Sequence, residues 1–297
     1  MEKKESGAVK ANDARRRKRR KVFLAIVIIL AAALVLTLVV NIIINRNFKV
    51  TFYQIRSDKV SDNIRIIELS DLHDREYGKD NAKLVGKIRD LNPDLIVYAG
   101  DMMNYGDEDY SALWSLSERL SEIAPVYACY GNNELDQQLF KDKKFVEELE
   151  KHGVNFLSNK AVDVKIKKTS LQIIAVSDDL DQYDVETNNS KKIVESLEPT
   201  NSYRVCLAHY PLLFREKLQG RGIDVVFSGH AHGGQVRIPF VGGLYAPGEG
   251  FLPELTAGVV TAEDGTTAII SRGLGGSRYL PRINNQPELV VVDICWY

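Results

Sequence analysis

Two apolar periods alternate along the middle of the chain. Residues 64–69 (IRIIEL) read as a buried strand, and residues 81–91 set Leu84, Ile88 and Leu91 at helical spacing before Pro93 closes the run. Residues 95–99 repeat the strand pattern, 110–123 the helical one, 126–130 form a third strand and 136–152 a third helix. The strands run out into Ser70-Asp71, Gly100-Asp101 and Gly131-Asn132. Positions 71, 101 and 132 are thus 30 and 31 residues apart, the length of one strand–helix–strand unit. In an open α/β sheet this repeat returns each strand end to one edge, where ligands bind, so the three side chains are expected to converge.

Past residue 152 short strands take over, at 162–166, 171–176, 203–208, 223–228, 267–271 and 288–294. Residues 48–53 alternate as one more strand. This pattern fits two packed sheets with outer helices better than a single doubly wound sheet.

One apolar run has no polar period. Residues 22–40 are apolar except Thr37, and Ile42, Ile43 and Ile44 extend them past Asn41. About 20 helical residues cross a hydrocarbon core of roughly 30 Å, whereas a cleavable signal has an apolar region of only about 7–15 residues. The small residues Ala31, Ala32 and Ala33 lie mid-run, away from any plausible cleavage boundary. The segment therefore reads as an uncleaved signal-anchor helix. The resulting organisation is a basic tail (1–21), an anchor (22–44) and one α/β domain (48–297), joined by a linker short enough to hold the domain close to a bilayer.

Charge adds direction. Residues 1–21 hold ten Lys/Arg against three acids, leaving the body 29 basic and 37 acidic residues of the chain's 39 and 40. The basic cluster at 15–21 directly precedes the apolar run, which by the positive-inside rule puts the N-terminus in the cytoplasm and the domain outside the cell membrane. The same cluster would also suit a nucleic-acid arm or anionic lipid; the adjacent span favours topology. Arg19-Arg20 suggests a twin-arginine signal only weakly, because the spacing is off and the run too apolar. The acidic body argues against nucleic acid as a partner. Cys129, Cys206 and Cys295 lie in apolar strand runs without CxxC spacing, so they read as inert thiols and not as a disulfide framework.

Chemistry concentrates at the strand ends. Asp71-Leu72-His73 and His230-Ala231-His232 each set two ligating side chains two residues apart, on one side of an extended segment. His209 follows another strand, and Asp101 and Asn132 follow glycines. Mixed His, Asp and Asn ligands suit divalent transition metals better than calcium or magnesium. His152, before Gly153, reads instead as a helix C-terminal partner. Gly273-Leu274-Gly275-Gly276 lacks the spacing of a nucleotide-binding loop. Arg272 and Arg278 beside it suit either a substrate anion or the surface. Residues 238–253, rich in Pro, Gly and apolar side chains, suit a substrate-facing lip, a membrane-contacting loop or a packed irregular loop.

The order DxH, GD, GN, a lone His and GHxH resembles the calcineurin-like metallophosphoesterase family over about residues 64–295. The stretches SDLH at 70–73, GHAHGGQ at 229–235, YAPGEGF at 245–251 and SRGLGGS at 271–277 look closest to its membrane-anchored bacterial branch. The resemblance implies a four-layer α/β/β/α sandwich of two mixed β-sheets flanked by helices. It also implies two divalent metal ions (Mn, Fe or Zn). Asp71, His73, Asp101 and His232 would hold one; Asp101, Asn132, His209 and His230 would hold the other, with Asp101 bridging. Such a pair supplies Lewis acidity and charge neutralisation for phosphoester hydrolysis.

The chain departs from the family at one position. Where the family has a histidine after the ligand Asn, thought to protonate the leaving oxygen, this sequence reads Gly131-Asn132-Asn133-Glu134. An amide releases no proton near neutral pH, and a general acid typically contributes about 10²–10⁴-fold. Asn133 thus implies a slower or specialised phosphoesterase, with Glu134 as a partial substitute or a substrate that needs no protonation. The expected substrate is a phosphoester, lipid-linked or from the envelope given the short linker. The alternative reading is a catalytically impaired metal-binding domain that recognises a phosphorylated ligand or partner; a third is a membrane-tethered interaction domain with incidental motifs.

Overall fold

The structure is a computed structural model that describes residues 2–137, 139, 143–177, 189–247, 249–276 and 280–297. The chain divides into two compact units, Met1–Arg46 and Asn47–Tyr297.

The first unit is one helix, α1 (Glu2–Asn45). Its stretch Arg15–Asn45 is long and apolar enough to cross a membrane, and none of its most apolar part is buried within the protein. An apolar helix packed in a protein core would be covered on at least one side.

Among the described residues the second unit holds two six-stranded mixed sheets and two small hairpins. Its strands are β1 (Lys49–Ser57), β2 (Ile64–Leu69), β3 (Leu95–Tyr98), β4 (Val126–Ala128), β5 (Val154–Phe156), β6 (Lys160–Ile166), β7 (Thr169–Val176) and β8 (Tyr203–Ala208). They continue with β9 (Val225–Ser228), β10 (Arg237–Ile238), β11 (Gly242–Gly243), β12 (Tyr245–Ala246), β13 (Gly250–Phe251), β14 (Gly258–Thr261), β15 (Thr267–Ile270) and β16 (Glu288–Trp296). The first sheet runs β1-β16-β2-β3-β4-β5, with β2 to β5 parallel and β16 antiparallel to β2. The second runs β14-β15-β9-β8-β7-β6, parallel from β15 to β7 and antiparallel at both edges.

Side-chain alternation along β2 explains the layering. Ile64 and Ile66 face the core between the sheets, where Leu95, Val97, Ile173, Val205, Phe227 and Val290 meet them. Ile67 and Leu69 point the other way, onto α2 (Ala82–Leu91), α3 (Ser111–Ser121) and α5 (Lys143–Lys151). A strand covered on both faces needs apolar side chains on both, which Ile64, Ile66, Ile67 and Leu69 supply in one strand and LIVY in the next. Helix α2 buries Leu84, Val85, Ile88 and Leu91 on one stripe, each contributing about 1.5–3 kcal/mol of burial. It stops at Asn92, whose left-handed backbone (φ 50°) turns the chain into Pro93. A third core, which includes Cys206, Val226, Leu213, Phe214 and Ile270, covers the outside of the second sheet. The protein is thus a four-layer α/β/β/α sandwich with one N-terminal apolar helix.

Three local differences from the sequence pattern stand out. Residues 136–152 are not one helix: α4 (Asn132–Asp136) starts at the strand-end motif itself, and α5 begins at Lys143. Strands β5 and β14 carry too few alternating apolar residues to be seen in advance. Strands β10 and β11 pair as one hairpin and β12 and β13 as another, within the stretch that the sequence leaves as a lip, a membrane-contacting loop or a packed irregular loop. All three cysteines are free, with Cys129 and Cys206 buried and Cys295 half-buried.

Candidate metal centre

The parallel order of β2, β3 and β4 brings their C-terminal ends to one edge. The loops there are bonded directly to each other: Asp71 N–H donates to Gly100 O at 3.0 Å and His73 N–H to Asp101 O at 3.2 Å. From the second sheet, β8 delivers His209 and β9 delivers His230 and His232, with Gly229 N–H on His209 O at 3.0 Å. His230 N–H in turn donates to Asp71 Oδ1 at 3.0 Å, which ties the two sheets together at this edge.

These approaches strain the backbone. Asp71, His73, Asp101, His230 and His232 all hold left-handed φ angles, between 47° and 63°. Non-glycine residues rarely adopt that region, and such strain concentrates where surrounding structure over-determines a functional geometry. Gly131 and Gly229 permit the contact: a Cβ at either would overlap the carboxylate of Asp101 or Asp71.

The side chains converge in two halves. Ligating atoms of Asp71, His73 and His232 lie within 4.8 Å of one another, as do those of Asp71, Asp101 and His209. His73 Nε2 and His232 Nε2 are 3.1 Å apart, close enough that at most one proton fits between them. Asp101 Oδ2 lies 3.8 Å from His73 Nε2 and 3.6 Å from His209 Nε2, so it reaches both halves. Asp71 Oδ1 does the same, 3.6 Å from His232 Nε2 and 4.0 Å from His209 Nε2. Asn132 Oδ1 completes the second half, 2.8 Å from His230 Nδ1 and 3.2 Å from His209 Nε2. All seven residues singled out in the sequence therefore meet here. His152 does not; it stacks on Trp114 and lies 3.7 Å from Glu118.

Outer hydrogen bonds set which ring nitrogens face inward. His209 Nδ1 is 2.7 Å from Ala99 O and His230 Nε2 is 3.2 Å from Pro247 O. A carbonyl only accepts, so a proton on each of those outer nitrogens is held there, and a cation between the inner nitrogens and Asn132 Oδ1 would take their lone pairs. Asn132 Nδ2 donates to Asn133 Oδ1 at 3.2 Å, which leaves Asn132 Oδ1 turned inward as a further lone pair. His209 Nε2, His230 Nδ1, Asn132 Oδ1 and two buried carboxylates thus face one space, a donor set that fits divalent cations when His209 gives up its proton.

The charge balance agrees. Burial pushes His230 down to about 4, with His209 adding to the effect, and pushes His232 down to about 3, so both rings are neutral. Burial acts against a proton on His209 as well, but Asp101 and Asp71 outweigh it and lift that ring to about 9. The excess negative charge thus draws in a proton where a cation would serve better. Arg282, buried, stands behind His232 with Nη2 3.5 Å from its Nδ1 and anchors the 271–275 loop through Gly275 O and Arg272 O. Nothing in the sequence spacing marks Arg282. Arg278 lies outside the described residues.

Asn133 and Glu134 have definite partners. Asn133 N–H donates to Asp101 Oδ1 at 2.8 Å; its Nδ2 donates to Met103 O at 2.9 Å and lies 3.0 Å from His73 Nδ1. The amide is thereby engaged in orienting His73. Glu134 is buried, and its carboxylate accepts N–H bonds from Gly131, Asp101 and Met102 at 2.7, 3.0 and 2.9 Å. Burial and the neighbouring Asp101 raise it to about 7. With three backbone groups on it, Glu134 is a clasp between two ligand loops.

Comparison with known proteins places this architecture. The family model described as calcineurin-like phosphoesterase matches residues 64–234. The phosphodiesterase YaeI of Escherichia coli (strain K12) is 29% identical over 203 residues, covering 68% of this chain and 70% of that protein. A transmembrane protein with metallophosphoesterase domain from Danio rerio is 29% identical over 216 residues, covering 66% of this chain and 48% of its own length. The UDP-2,3-diacylglucosamine pyrophosphatase LpxG of Chlamydia trachomatis is 26% identical over 290 residues, covering 79% and 84%. The matched segment spans more than half of the sequence and contains both halves of the centre, and the chain belongs to the calcineurin-like phosphoesterase family, metal-dependent hydrolases of phosphoester bonds.

Proposed function

We propose that this chain is a membrane-anchored, two-metal phosphoesterase acting outside the cytoplasmic membrane on lipid-linked or envelope phosphoesters. Asp71, His73, Asp101 and His232 would hold one divalent ion (Mn, Fe or Zn), and Asp101, Asn132, His209 and His230 the second. Bound there, the two ions supply Lewis acidity and offset phosphate charge during attack by water. The observation that carries the reading is the convergence of these side chains at one sheet edge, with their ligating atoms turned toward one another.

The protein's own groups divide the remaining work. Asp101 reaches both halves, and its negative charge would offset part of the charge of two bound cations. Ala99 O and Pro247 O hold His209 and His230 in the tautomers that can ligate. Asn133 holds His73 and supplies no proton, so leaving groups that depart without protonation are favoured. Support for the lipid-linked substrate comes from the tether of at most a few residues between residue 44 and β1, and from the relative named as a pyrophosphatase of a diacylated sugar nucleotide. The basic cluster at 15–21 supports a cytoplasmic N-terminus.

The test is hydrolysis by the Mn²⁺-loaded full chain of an aryl phosphodiester, an alkyl phosphomonoester, soluble nucleotides and lipid phosphates. Metal-dependent turnover of at least one is expected, with aryl esters favoured; activity confined to soluble nucleotides would contradict the lipid assignment. Asn133 favours one other reading, a domain that binds a phosphorylated ligand without turnover. In that case ligand binding without hydrolysis is expected, and Asn133→His would create activity, of the order of the 10²–10⁴-fold that general acids provide.

A further inference from the structure

We infer that the β10–β11 and β12–β13 hairpins dock onto the lipid bilayer and hold the metal centre at its surface. The inference rests on the membrane-anchored reading above and names the surface that faces the membrane.

The hairpins expose an apolar set that no other described residue covers. Phe240 at the first tip is fully exposed, Val241, Phe251 and Leu252 are exposed beyond half, and Ile238 and Ile283 border them. Single exposed apolar residues are ordinary; a contiguous group on neighbouring loops marks a contact surface. Contiguity is built in by hydrogen bonds: Leu252 N–H donates to Leu244 O, and Leu244 N–H to Val236 O, both at 2.8 Å. Phe240 and Leu252 also hold left-handed backbone (φ 66° and 54°), a conformation disfavoured for such side chains, and present them to solvent.

Two observations select a bilayer as the occupant. The first is tether length. Only four residues, 45–48, separate the apolar segment from β1, a reach of at most about 14 Å. The second is where that tether joins the domain. Asn47 O accepts from Gln286 Nε2 at 3.4 Å, and Lys49 N–H donates to Pro287 O at 2.9 Å. The same 283–287 segment carries the first hairpin: Arg237 N–H donates to Ile283 O at 3.0 Å, as does Asn284 Nδ2 to Arg237 O. The apolar tips and the start of the domain therefore share one end of that domain. The exposed Trp296 and Tyr297 lie at the far end of β16, about 26 Å along a nine-residue strand.

Both hairpins spring from the ligand segment. Arg237 Nη1 donates to Gly233 O at 2.8 Å, and Pro247, in the turn of the second hairpin, bonds His230. Tips seated among lipid headgroups would bring the centre to substrates whose phosphate lies at the interface and whose tails stay in the membrane.

The experiment uses the full chain with Cys295→Ser, reconstituted in phosphatidylcholine–phosphatidylglycerol vesicles. An environment-sensitive fluorophore is placed at Phe240→Cys, at Val241→Cys or, as the far-end control, at Tyr297→Cys. Docking predicts that labels at 240 and 241 are quenched by acyl-chain nitroxide lipids and shielded from iodide, as for groups seated about 5–10 Å into the interface. The label at 297 should show the reverse. Unchanged turnover of a soluble aryl phosphodiester checks that each labelled protein is folded. Iodide access at 240 and 241 equal to that at 297 would overturn the proposal. So would shielding from iodide without lipid quenching, which would mean that a second copy covers the tips. Loss of the full chain from vesicles on alkaline extraction would overturn the anchor itself, and docking with it.

Discussion

At the residue scale, the centre depends on side chains whose only task is to aim others. Asn133 is the clearest: its amide joins His73 to Met103 O, and its N–H fixes one oxygen of Asp101. Groups that orient a ligand typically matter about 10–100-fold for metal affinity. Asn133→Ala should therefore weaken Mn²⁺ binding by that order in a calorimetric titration, and unchanged affinity would refute the orienting role. Glu68 is another buried group with a measurable signature. It points between the sheets with neither oxygen hydrogen-bonded among the described residues, and burial, with Glu288 and Asp71 nearby, raises it well above 4.5. An acid raised in the fold gives stability that is full below its unfolded value and lost as pH climbs toward the folded one. Glu68→Gln should thus gain in Tm over the native chain as pH rises from about 5 to about 8; a gain that shrinks over that window would contradict it.

Elements explain how much was readable beforehand. Strand ends at 71, 101 and 132 were visible because β2, β3 and β4 are buried on both faces and their crossovers are regular. The ligand residues followed, since each sits within a few positions of such an end. Helix α4 left no trace because five residues are too few for a helical period. The hairpins were hidden for another reason: their strands have two residues each, and the first is held by Ile283, far along the chain. Arg282 and the clasp of Glu134 were illegible because their partners are backbone groups, which carry no sequence signal. That clasp is testable. Glu134→Ala strands three buried N–H groups, each costing about 1–3 kcal/mol if unsatisfied, so Tm should fall substantially with or without metal. A shift no larger than that of a surface substitution would show that the loops hold without it.

For the whole molecule, the sandwich makes one rigid edge from two sheets and places all seven candidate ligands on it. A change confined to that edge should cost function while leaving the fold intact. Asp101→Asn removes one charge from a carboxylate that reaches both halves, yet keeps its shape. The most direct measurement is therefore metal stoichiometry coupled to turnover, on the native full chain and on Asp101→Asn. The native chain should bind two divalent ions per molecule and hydrolyse an aryl phosphodiester only when loaded, and Asp101→Asn should lose both ion and activity without unfolding. Stable native protein that binds no metal, or full activity in Asp101→Asn, would contradict the account.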